Sequence, residues 1–71
     1  MPASKIIYPN LRAEMARKNV SVKDIADVIE TGRDTAGGKL SGKRPLLFDE
    51  AIVITDRFFS DKDIRYLFKK E

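Results

Sequence analysis

Cysteine and histidine are both absent from this chain of 71 residues. Without cysteine no disulfide can staple the fold, so one hydrophobic core must carry it. A chain of this length buries only roughly 60% of the surface it exposes when unfolded, which allows a single small domain. Lacking thiolate and imidazole, it offers no ligand set for a structural zinc, no thiol nucleophile and no imidazole base. It also has no run of alternating Asp or Asn with a glycine turn of the kind that holds calcium. No metal, no cofactor and no small-molecule substrate is expected. Ser and Lys without a surrounding cluster argue against an enzyme. Long apolar runs are missing too. Ile6-Ile7-Tyr8 is too short for a signal-peptide core and far too short for a membrane span, so a soluble intracellular protein is expected. Charge is mildly unbalanced, at +3, with both signs mixed through the chain. That balance permits a nucleic-acid partner without requiring one.

What is present is helical spacing almost throughout. Leu11 and Met15 stand four apart after Pro9, with Ala16 beside them and Arg12, Glu14 and Arg17 turned outward, predicting an amphipathic helix that ends near Asn19. Ser21-Val22-Lys23-Asp24 reads as a capped helix start, and Ile25, Ala26 and Ile29 line the inner face of a helix that stops near Thr31-Gly32. Arg33 to Ser41 is the third helix, with Ala36 and Leu40 facing inward. Gly37 and Gly38 at its centre each cost roughly 1 kcal/mol relative to Ala. Gly42-Lys43-Arg44-Pro45 breaks the chain. From Asp49 to Phe59 a fourth helix carries Phe48, Ala51, Ile54, Thr55, Phe58 and Phe59 on one broad face, and Val53 alone points away from it. Ser60-Asp61-Lys62-Asp63 repeats the capping pattern and starts a short last helix, with Ile64, Leu67 and Phe68 inward and Lys69-Lys70 at its negative end. The four phenylalanines are expected in the core rather than on a stacking platform. An all-α, compact five-helix bundle is expected, as one domain spanning 1–71 with 1–9 as a short arm.

Two short helices joined by a tight turn make a DNA-reading unit, the second helix lying in the major groove while the first braces it. Such a unit needs a small residue where its helices cross, and Ala26 supplies one. It needs apolar residues around the turn, which Ile25, Ile29, Ala36 and Leu40 provide. It needs basic and hydroxyl groups at the rim, where Arg33, Lys39, Ser41, Lys43 and Arg44 stand.

Asn10-Leu11-Arg12-Ala13-Glu14-Met15, Ser21-Val22-Lys23-Asp24-Ile25-Ala26 and Lys39-Leu40-Ser41-Gly42-Lys43-Arg44-Pro45 resemble, in order and spacing, the lambda-repressor-like or Cro-like (Xre) helix-turn-helix family. Asp49-Glu50-Ala51-Ile52 and Tyr66-Leu67-Phe68 resemble its small phage and prophage regulators. The resemblance implies a helix-turn-helix DNA-binding domain in a bacterial host cytoplasm, binding double-stranded operator DNA as a homodimer. It implies phosphate contacts at Ser21 and Val22, and the clustering of Lys39, Ser41, Lys43 and Arg44 at the groove edge points to phosphate contacts there as well. Val22 departs from the family's Gln and has only its backbone amide to offer. The base-facing positions it implies are Arg33, Asp34, Gly37 and Gly38. Arg33 can donate to guanine and Asp34 can accept from cytosine, while the glycines have no side chain with which to read. Asp34 is equally explained by the helix dipole, whereas a cation at Arg33 is not. The family's turn usually holds a left-handed glycine. Here Glu30 stands there, so either Glu30 accepts the strain or the turn is rebuilt around Gly32. The glycine pair has two readings, close approach to DNA or a degenerate module that acts through protein contacts. Exposed Val53 is the candidate dimer contact, and Lys5 a candidate arm residue.

Overall fold

Pro9 opens the first helix where a missing N–H costs nothing, and each later helix likewise begins and ends on an identifiable residue. The computed structural model describes residues 6–70, so Lys5 lies outside the described residues. Among them the order is α1 (Pro9–Lys18), α2 (Val22–Val28), α3 (Arg33–Ser41), α4 (Phe48–Phe58) and α5 (Ile64–Leu67), with no strand. A full capping box starts α2. The Ser21 Oγ accepts from Asp24 N–H at 3.1 Å, and the Asp24 carboxylate accepts from Ser21 N–H at 2.9 Å. That N–H, followed by the Ser21 side chain, holds the Asp24 carboxyl below its usual range. At α5 the cap is Asp63, which accepts from Arg65 N–H at 2.9 Å, so the helix starts later than Ser60.

The first three helices close in one way, with a left-handed residue just past the last turn. Asn19 (φ 57°) follows α1, Glu30 (φ 58°) follows α2 and Gly42 (φ 88°) follows α3. In each case the next N–H reaches back to a carbonyl five residues earlier. Val20 donates to Met15 O at 2.8 Å, Thr31 to Ala26 O at 2.9 Å and Lys43 to Gly38 O at 2.9 Å. These are Schellman closures, in which glycine or asparagine is the unstrained choice. Glu30 is neither. The open alternative in the α2–α3 link is thus resolved: Glu30 takes the strained conformation, and Gly32 (φ −78°) is an ordinary N-cap.

Each helix fully buries one large side chain, Leu11, Ile25, Leu40, Ile54 and Leu67, joined by Phe59 just after α4. Helices α2 and α3 pack on each other, α1 packs on α5, and α4 touches both α2 and α5. The segment before α1 is tied to the end of α3 by Ile7 N–H donating to Leu40 O at 2.9 Å.

Three expectations about facing need correction. Glu14 is buried (2% exposed), not turned outward. Its carboxylate accepts from the Tyr66 hydroxyl at 2.9 Å and from Arg17, so a distant helix supplies what the burial requires. Ala16 is exposed rather than packed beside Met15. Phe48 is 74% exposed and no part of the core. It is the first residue of α4, and a helical side chain leans toward the N-terminus, which here carries the ring past the last covering neighbour. Phe59 is buried as expected, while Phe58 and Phe68 are half-buried against the core.

Candidate functional site

Gly42, in its left-handed conformation, turns the chain back on α3, and three contacts pin the following loop there. Lys43 N–H and Arg44 N–H donate to Gly38 O at 2.9 and 3.1 Å, and Lys39 Nζ donates to Pro45 O at 3.4 Å. Lys43 and Arg44 are thereby held beside the outward face of α3. On that face Arg33, Asp34, Gly37 and Gly38 share a stripe, since they lie at i, i+1, i+4 and i+5.

These six residues, with Val22 from the start of α2, line one open cavity of about 710 Å³. Arg33, Asp34, Lys43 and Arg44 are exposed, and none of them forms an ion pair among the described residues. Three cations and one carboxylate therefore face a concave surface floored by main chain. Gly37 has open space where a side chain would stand, whereas Gly38 does not. A Cβ built there would meet the Arg44 stem, 3.2 Å from Cδ and 3.4 Å from Cγ and Nε. The Arg44 side chain lies across α3 at the position a residue-38 side chain would occupy.

Not all the expected contact residues gather here. Lys39 lies on the other side of α3, where its ammonium is 2.9 Å from Glu50 Oε1 and both side chains are mostly buried. Glu50 also accepts from Leu47 N–H at 3.0 Å. Burial pushes its carboxyl up, but the Lys39 hydrogen bond, the Leu47 N–H and the Lys39 charge together leave it below its usual range. Lys39 is a bridge from α3 to α4, so its position does not support a phosphate contact. Ser41 is half-buried with its hydroxyl spent on Gly38 O, and Ser21 is spent on its capping box. Neither lines the cavity.

A second feature lies elsewhere and was missed from sequence. Leu47 and Phe48 are exposed, and Phe48 borders a shallow apolar cleft of about 330 Å³ with Ala51, Ile64, Arg65 and Phe68. Three successive apolar residues, Leu46-Leu47-Phe48, directly after Pro45 were the available signal, since all three cannot face inward at a loop–helix junction. Val53 is exposed as expected and sits beside Val28 and Ile29. Among the described residues no helix is long and apolar enough to cross a membrane, and no cluster of acidic side chains is arranged to hold a metal ion. The chain matches no protein-family model, no curated protein and no solved structure.

Proposed function

We propose that this chain binds double-stranded DNA as a transcriptional regulator of phage or prophage type, working in the host cytoplasm as a homodimer. In this reading α2 and α3 act as a helix-turn-helix, and α3 enters the major groove. The observation that carries it is the convergence of Arg33, Lys43 and Arg44 on one open cavity beside α3. Cations without an ion pair among the described residues, on a concave surface of this size, suit phosphate oxygens, while Arg33 and Asp34 at the first turn of α3 suit base edges. The resemblance to Cro-like regulators in order and spacing points the same way.

Titration with duplex DNA at two salt concentrations tests the reading. Each cation that neutralises a phosphate contributes about −0.9 to the slope of log affinity against log salt. Affinity that is high at low salt and falls steeply is expected. A flat slope, or no binding at low salt, would refute it. The exposed Leu47 and Phe48 favour a second reading, a helix-turn-helix module acting through another protein, and the same titration separates the two.

A further inference from the structure

We propose that Arg44, seated on Gly38, is a base-reading side chain, and that Gly38 is glycine to provide that seat. The inference rests on the DNA-binding reading and deepens it. It also reassigns two residues, since Arg44 was expected at phosphate and Gly38 at the bases.

Helix α3 carries few side chains with which to read bases. Beyond its first turn the outward face is Gly37 and Gly38, which present only backbone, so α3 alone can read bases through Arg33 and Asp34 and nothing else. The loop makes good the deficit. Its main chain is fastened to Gly38 O through Lys43 and Arg44 N–H, and the Arg44 stem then crosses Gly38 itself. The guanidinium is thereby carried by the face of the helix and not by the free loop. Lys43 lines the same cavity and, like Arg44, forms no ion pair among the described residues, but its ammonium is a point charge without a planar fork, as suits a phosphate contact. A guanidinium held over a helix face offers a planar fork, which matches the O6 and N7 of guanine in the major groove. Holding its main chain on Gly38 O also lowers the entropy lost when that fork engages. Gly37, one residue earlier, has nothing over it and serves as the internal control.

The test is selection of bound sites from a randomised duplex library by wild type, Arg44→Lys, Lys43→Ala, Gly38→Ala and Gly37→Ala, followed by titration on the wild-type site. Circular dichroism melts run alongside report folding. Arg44→Lys keeps the charge and loses the fork. It is expected to leave the salt slope unchanged while erasing preference for guanine at one position, a loss of about tenfold. Gly38→Ala is expected to reproduce that loss without lowering the melting temperature, and Gly37→Ala to leave the preference intact. Lys43→Ala is expected to weaken every sequence alike. Undiminished guanine preference in Arg44→Lys, or equal behaviour of the two glycine variants, overturns the proposal while the DNA reading stands. Failure of the wild type to retain any duplex overturns both, and is recognised because no variant is involved.

Discussion

Lys39 and Glu50 form a mostly buried ion pair, 2.9 Å between Nζ and Oε1, that joins the end of α3 to the start of α4. Because Lys39 Nζ also reaches Pro45 O, the pair braces the loop that displays Lys43 and Arg44. Lys39→Met keeps the aliphatic stem and removes the charge, leaving Glu50 mostly buried without its counter-charge. A loss of about 2 kcal/mol is expected, between the values for exposed and fully buried pairs. Chemical denaturation measures it, and a loss below about 0.5 kcal/mol would mean the bridge is dispensable.

The three left-handed closures make opposite predictions for two substitutions. Glu30 (φ 58°) carries a Cβ where none is wanted, so Glu30→Gly is expected to stabilise by about 1 kcal/mol, raising the melting temperature by roughly 4–8 °C. Gly42 (φ 88°) is already the favourable residue, and a Cβ there would lie 3.1 Å from Ile7 Cδ1. Gly42→Ala is expected to cost about 2 kcal/mol. Thermal melts of both variants decide the matter. A destabilised Glu30→Gly would show that the glutamate side chain contributes more than its backbone costs.

Acid should destabilise the fold in a definite window. Asp24 and Glu50 lie below the ordinary carboxylate range when folded, and so does Asp61, chiefly through its hydrogen bond from Lys18 at 2.8 Å. A carboxyl depressed in the folded state stabilises it fully above the unfolded value and loses that contribution as pH falls through the folded value. Melting temperature should therefore decline below about pH 4.5, as the unfolded carboxyls begin to take up protons. Between about pH 6 and 7 it should be nearly flat, because the chain has no histidine to titrate there. A melting temperature unchanged down to pH 3 would remove these three groups from the account.

Two exposed apolar residues on α4 separate the candidate contact faces. Val53→Asp and Phe48→Ser should each change stability by no more than about 0.5 kcal/mol, since neither side chain is buried. Sedimentation then shows which face holds two copies together. A shift to monomer in Val53→Asp is expected, and the same shift in Phe48→Ser alone would move the contact to the α4–α5 cleft. An unchanged monomer in wild type and both variants would retire the homodimer.

The helices were legible because their signals are local: Pro9, the Ser21–Asp24 box, and Leu40 four residues after Ala36. So was the inward face of α2, where Ile25 and Ala26 are buried as their spacing requires. Other features depend on partners distant in sequence. Glu14 looked solvent-facing until Tyr66, 52 residues on, supplied a hydroxyl. Lys39 looked like a rim cation until Glu50 met it across a loop. Arg33, Lys43 and Arg44 were grouped from sequence and do line one cavity. The reason for Gly38 was invisible there, because periodicity describes the side chains a helix has and not the space it leaves for others.

Every helix places at least one fully buried side chain in the middle of the molecule, down to Leu67 from a helix of four residues. Removing any one segment would open that centre to water, so the fold has no self-sufficient fragment. Unfolding is expected to be all-or-none, and the slowest amide protons of all five segments should exchange together, in a single global opening.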